Sequence, residues 1–170
     1  MLSPKLQDAF NEQINRELYS EYLYLSMAAY CYEMDLDGFA NFFMVQTQEE
    51  HFHAIKMFNF VTDCGSRVIL KKIEEPPVEF KSVKELFEKT LEHEKLVTKS
   101  INELMNVAVK ENDHASASFL KWYVDEQVEE ETTDHKILSK IKLVEGNGYG
   151  LLMIDQELAA RTFTPPAVAV

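Results

Sequence analysis

Apolar side chains recur at alternating steps of three and four along four long stretches of this chain, the spacing that places them on one face of an α-helix. The first stripe is Leu6, Phe10, Gln13, Glu17, Ser20, Tyr24, Met27 and Cys31. The second is Phe39, Phe43, Gln46, Glu50, His53, Met57 and Phe60. The third runs Val83, Phe87, Thr90, Glu94, Val97, Ile101, Leu104 and Ala108, and the fourth Ser116, Leu120, Tyr123, Gln127, Glu130, Asp134, Ile137, Ile141 and Val144. Each is sustained long enough to specify a single inward face. Glycine and proline fall between the stripes, at Pro4, Gly38, Gly65, Pro76-Pro77, Gly146 to Gly150 and Pro165-Pro166. Ser3-Pro4 predicts an N-cap with proline in the first turn, and Asp35 or Asp37 a cap for the second helix. Ser82-Val83-Lys84-Glu85 has capping-box spacing, and a fourth helix can start near Asn112 or Asp113.

Helices of this length extend on the order of 45 Å at about 1.5 Å per residue, and four of them packed along their seams make a bundle. A tight join around Gly38 and another near Asn112 make two antiparallel pairs. The stretch from Gly65 to Lys81 is long enough, at about 3.3 Å per extended residue, to run the length of the bundle. One long crossover then leaves the second and third helices parallel. Leu151 to Ala160 predicts a short fifth helix with Leu151, Leu152, Ile154 and Leu158 as apolar contacts, serving either an oligomer contact or docking on its own bundle. The expected fold class is all-α, a four-helix bundle with one crossover and a short C-terminal helix. Residues 1–170 read as one domain: bundle about 4–145, short helix about 151–160, tail 161–170, the last with a non-helical Pro165-Pro166.

A glutamate interrupts each apolar seam at mid-length: Glu17, Glu50, Glu94 and Glu130. An unpaired buried carboxylate costs several kcal/mol, and four that converge repel one another until most are protonated. Cations between them remove that penalty. His53 follows Glu50 by three residues on the same face, a pattern with which bundles present metal ligands. Oxygen-rich ligation with one imidazole suits iron or manganese better than structural zinc. Tyr24 lies seven residues after Glu17 on the same stripe, placed to hydrogen-bond a ligand, to supply an electron, or simply to fill the core. His51, His93, His114 and His135 fall off the seams and read as surface or partly buried imidazoles, and Cys31 as a small core residue. Trp122 lies off the seam and receives no role, and Asp134 is a polar seam residue without an evident purpose.

Composition narrows the chemistry further. The 29 acidic residues against 17 basic ones leave a formal charge of -12, which argues against a nucleic-acid groove and for cationic partners. Cys31 and Cys64 lack zinc or redox spacing, and the N-terminus lacks the apolar run of a signal peptide. No stretch approaches the roughly 20 apolar residues of a membrane span, so a cytoplasmic location is expected, with neither nucleic acid nor membrane as partner.

These residues resemble the non-haem ferritins of bacteria and archaea. The similarity runs from Asn11-Glu12-Gln13 and Glu17-Leu18-Tyr19-Ser20 through Gln48-Glu49-Glu50 with His53, then His93-Glu94, to Trp122-Tyr123 and Glu126-Gln127-Val128-Glu129-Glu130-Glu131. The resemblance implies a ferroxidase centre in which Glu17, Glu50 and His53 hold one iron and Glu50, Glu94 and Glu130 a second. It places Gln127 beside the pair and Tyr24 next to the centre, and it matches Glu49, Glu126, Glu129 and Glu130 to a third iron site. It further implies a hollow 24-subunit shell, oxidation of iron(II) by dioxygen or hydrogen peroxide, and storage of the product as mineral.

Departures exclude some relatives. Bacterioferritins carry a second Glu-x-x-His in the fourth helix and a haem-ligating methionine; here the fourth helix reads Gln127-Val128-Glu129-Glu130 and Phe52 follows His51, so no haem is expected. Mini-ferritins lack the fifth helix and place iron between subunits. Two other classes share such a bundle: a di-iron oxidoreductase of the rubrerythrin kind, and a structural bundle whose seam glutamates are protonated or hydrated. The first usually shows a doubled Glu-x-x-His or a rubredoxin-like cysteine site.

Overall fold

A computed structural model of the chain describes residues 1–165, which form helices α1 (Pro4–Glu33), α2 (Asp37–Asp63), α3 (Val83–Lys110), α4 (His114–Leu143) and α5 (Gly148–Leu158). The caps follow from local chemistry. Ser3 Oγ accepts from the Leu6 amide at 3.2 Å, Ser82 Oγ from the Glu85 amide at 3.2 Å, and Asp113 Oδ1 from the Ser116 amide at 2.9 Å. Each oxygen satisfies an amide that has no partner within its own helix.

Helix α2 departs from expectation. Neither Asp35 nor Asp37 caps it: Leu36 is the N-cap residue and makes no side-chain cap bond. Asp35 instead adopts φ 54° and turns the chain, while Asp37 lies in the first turn. The cap comes from α5, where Asp155 Oδ1 accepts from the Phe39 amide at 2.9 Å. Gly38 is therefore not the turn residue but a contact residue. A Cβ built on it would lie 1.7 Å from the Asp155 carbonyl oxygen, so only glycine lets α5 approach.

The segment 64–82 carries no regular structure and lies along α1 as a strap. Gln7 Nε2 donates to the Arg67 carbonyl, Asn15 Nδ2 to Lys72, Ser26 Oγ to Pro77 and the Tyr30 hydroxyl to Phe80. The Ile69 amide donates to Asn11 Oδ1. Strap and helix numbers rise together, so the strap runs parallel to α1 and returns the chain to the end where α2 began. Helices α2 and α3 are thus parallel, with α1 packed on α2 and α3, and α3 on α4.

Helix α5 begins three residues earlier than its hydrophobic pattern predicts, because Asn147 Oδ1 caps it by accepting from the Gly150 amide at 3.1 Å, and it ends at Leu158. It docks on its own bundle, against α2 and α4. Ile154 and Leu158 are buried and Leu151 partly so, whereas Leu152, expected as a contact, points to solvent. Residues 161–165 are non-helical, and the remainder of the expected tail, including Pro166, lies outside the described residues.

The seams are buried as their spacing demands, and they divide the interior in two. One apolar cluster joins Tyr24, Met27, Phe39, Phe43, Phe87 and Ile141 with α5. The other joins Leu6, Phe10, Met57, Ile101, Leu104, Leu120 and Tyr123. The four seam glutamates lie between them.

Candidate metal centre

Glu17, Glu50, Glu94 and Glu130 come from the middles of four different helices, and each is 4% exposed or less. Glu17, Glu50 and His53 offer atoms that all lie within 4.8 Å of one another. His53 Nδ1 is 3.7 Å from Glu50 Oε2 and 4.0 Å from Glu17 Oε2. Those two carboxylate oxygens are buried and accept no hydrogen bond. Buried oxygens without donors, gathered around an imidazole nitrogen, are an arrangement a divalent cation resolves, and the donor set fits iron.

The remaining carboxylate oxygens are held by amides and a phenol. Gln13 Nε2 donates to Glu17 Oε1 at 2.8 Å, and Gln46 Nε2 to Glu130 Oε2 at 2.9 Å. Gln127 Nε2 donates to Glu94 Oε2 at 2.9 Å, and the Tyr24 hydroxyl to Glu94 Oε1. Tyr24 and Gln127 therefore meet the centre through the same carboxylate. Burial, then the charges of Glu94, Glu17 and Glu130, push the Glu50 carboxyl well above the ordinary range. Burial and Glu130 push Glu94 to about 8, against the hydrogen bonds from Tyr24 and Gln127. Both shifts favour protonated carboxyls in the metal-free centre.

A second group, His53, Glu126 and Glu130, also lies within 4.8 Å and extends the centre outward along α4. Glu126 is pushed to about 7 by burial and the neighbouring charges of Glu130 and Glu129. Burial pushes the Glu49 carboxyl up to about 7 against the pull of the Arg161 guanidinium, with the charges of Glu130 and Glu126 adding to the rise. Glu49 Oε2 is 2.6 Å from Arg161 Nη2. Glu129 is exposed.

Several contributors escaped the sequence reading. Gln13 and Gln46 stand on the seams one turn before Glu17 and Glu50, and that spacing was a usable signal. Trp122 faces His53 with ring centroids 5.3 Å apart at 76°, and Lys56 Nζ sits 3.4 Å over the Trp122 ring. The Tyr123 hydroxyl donates to the His53 carbonyl at 2.8 Å. His51, His114 and His135 are exposed as expected. His93 is partly buried, with Nε2 2.8 Å from Ser20 Oγ, and burial lowers its pKa to about 4. Cys31 is a buried thiol pushed up to about 12, chiefly by burial, in keeping with a core role.

A four-helix bundle that converges carboxylates and one Glu-x-x-His imidazole on a buried mid-layer has the architecture with which bundle proteins ligate metals through carboxylates. Comparison with known proteins narrows the class. The ferritin-like domain family matches residues 7–144. The chain is 44% identical over 156 residues to the bacterial non-heme ferritin of Campylobacter jejuni, covering 92% of this chain and 93% of that one. It is 41% identical over 163 residues to the bacterial non-heme ferritin of Staphylococcus epidermidis, covering 96% and 98%. Among solved structures it is similar to the open pore ferritin of Archaeoglobus fulgidus, with a TM-score of 0.94, 49% identity and coverage of 95% and 99%. The chain belongs to the ferritin family.

Proposed function

We propose that Glu17, Glu50, His53, Glu94 and Glu130 form the ferroxidase centre of an iron-storage protein, taking two iron(II) ions per subunit. Iron is bound and oxidised by this ferritin, and the assembled form is an oligomer. In this reading the oligomer is a 24-subunit cage in the cytoplasm, the whole chain acts as one domain, and Fe(III) is stored as mineral in the cavity. The observation that carries it is the pair of buried, donorless oxygens on Glu17 and Glu50 facing His53 Nδ1.

Iron(II) is the substrate, and each ion gives one electron to dioxygen or hydrogen peroxide. The chain's own groups set the stage for that step. Glu17, Glu50 and His53 hold one ion; Glu50 bridges, and Glu94 and Glu130 hold the other. Gln13, Gln46 and Gln127 fix carboxylate orientations through their amide hydrogens, so little reorganisation accompanies binding. Tyr24, donating to Glu94 Oε1, holds its phenol beside the centre. Protons held on Glu50 and Glu94 depart as the cations enter. Glu49, Glu126, Glu129 and Glu130 provide an outer, third site beside the centre.

The test is aerobic iron(II) oxidation followed by ultraviolet absorbance, comparing the native protein with Glu50→Ala. The variant should lose the rapid phase by at least about 100-fold, more than loss of an outer partner typically costs. Equal rates in the two proteins would overturn the assignment.

A further inference from the structure

The polar contact with the least obvious purpose is made by the first residue of the tail. Arg161 Nη2 lies 2.6 Å from Glu49 Oε2, and the guanidinium carbon sits 4.5 Å from the Phe42 ring centroid. Both side chains are largely covered, with 25% and 20% of their surface exposed. Folding delivers the arginine there. Asn41 Nδ2 donates to the carbonyls of Leu158, Ala159 and Arg161, at 3.0, 3.4 and 2.9 Å, and so clasps the end of α5 to α2. Two residues on, Phe163 packs on Phe52 with centroids 6.2 Å apart, and Phe52 in turn meets Trp122 and His53. The tail is therefore fastened to the face of α2 that carries Glu49.

We propose that Arg161 is a positioning residue that occupies the outer carboxylate site as a built-in cation, so that metal on Glu49 and docking of the tail exclude each other. The proposal rests on the outer-site reading of Glu49, Glu126, Glu129 and Glu130. A guanidinium can neutralise a carboxylate but cannot be coordinated with it to the same metal, and it repels an incoming ion. Arg161 is the cation that contacts Glu49, whereas Lys56 acts on Glu126. A metal can take Glu49 as a ligand only by displacing the arginine, which then loses its acid partner and with it part of what holds residues 158–163. Linkage makes the effect reciprocal: a metal that loosens the tail is itself bound more tightly when the tail's charge is removed. Iron would be passed outward only when the centre's cation load is enough to displace the arginine, and the latch would close again behind it.

The test uses full-length apoprotein and zinc(II) alone, a redox-inert probe, in equilibrium dialysis and amide hydrogen exchange. Arg161→Gln should tighten the weakest zinc site about 10-fold, a mid-range coupling between sites, and Arg161→Lys should restore much of the native weakness. In the native protein, filling that site should speed exchange at the amides of residues 158–163, and this arm stands even if the glutamine variant folds poorly. Native-like zinc affinity in Arg161→Gln, with zinc-insensitive exchange in the native tail, overturns the latch while leaving the outer site standing. If Glu49→Gln and Glu126→Gln bind zinc in the same number as the native protein, the outer site itself is absent and the latch falls with it.

Discussion

The two apolar clusters and the acidic layer between them obey opposite rules. In the clusters each side chain meets others of its kind: Phe87 has ring contacts with Phe39, Phe42 and Phe43 at 5.8, 5.2 and 5.2 Å, and nothing there asks for water. In the middle layer, buried oxygens on Glu17, Glu50 and Asp134 go without partners. The helices are held apart and in register by their ends, so the middle can keep a geometry it could not sustain alone. Stability comes from the clusters, and the centre spends part of it on readiness for a cation.

The largest effect should come from breaking a cluster. Phe87→Ala removes a fully buried ring and should cost about 3–5 kcal/mol in chemical denaturation of the apoprotein. A cost below 1 kcal/mol would mean that the clusters do not carry the fold. Next comes Gly38→Ala. Its new methyl would collide with the backbone of Asp155, which cannot swing aside, so α5 should lift from α2 at about 1–3 kcal/mol. Fast amide exchange across residues 150–158 would report it, and unchanged protection would show that α5 shifts without releasing.

The smallest effect has the opposite sign and tests the acidic layer. Asp134 is fully buried, with both carboxylate oxygens unpartnered, and burial followed by the charges of Glu94 and Glu130 raises its pKa well above the ordinary value. A raised carboxyl means that folding takes up a proton, so the penalty is absent below the unfolded pKa of about 4 and grows as pH rises above it. Asp134→Asn should therefore stabilise the apoprotein at pH 7 by on the order of 1 kcal/mol, with the gain fading toward pH 4. A gain independent of pH would remove ionisation as its cause.

What could be read from the sequence follows the same division. The seams and their interrupting glutamates obey a local period, so Leu6 to Cys31 or Val83 to Ala108 could be assigned a face without knowing any partner. Gln13 and Gln46 lay on those seams and were legible in position though not in purpose. Other contacts that escaped join distant stretches. Asp155 caps α2 and forces glycine at position 38, Arg161 reaches Glu49, and Trp122 covers His53. No periodicity encodes these, because each depends on how α5 or α4 settles on α2.

The strap over 64–82 has a consequence for how the molecule comes together. It is laid on the outside of α1 by side chains donating to its carbonyls, and it supplies no candidate ligand. Each of the two helical hairpins it joins is a unit of short-range contacts, quick to form in isolation, whereas the ligand set is complete only when both have met. The strap acts as a tether that raises the effective concentration of one hairpin for the other. A ferritin subunit cut there is a candidate for reconstitution from two fragments, each carrying half of the carboxylates, with metal as the reporter of their reunion.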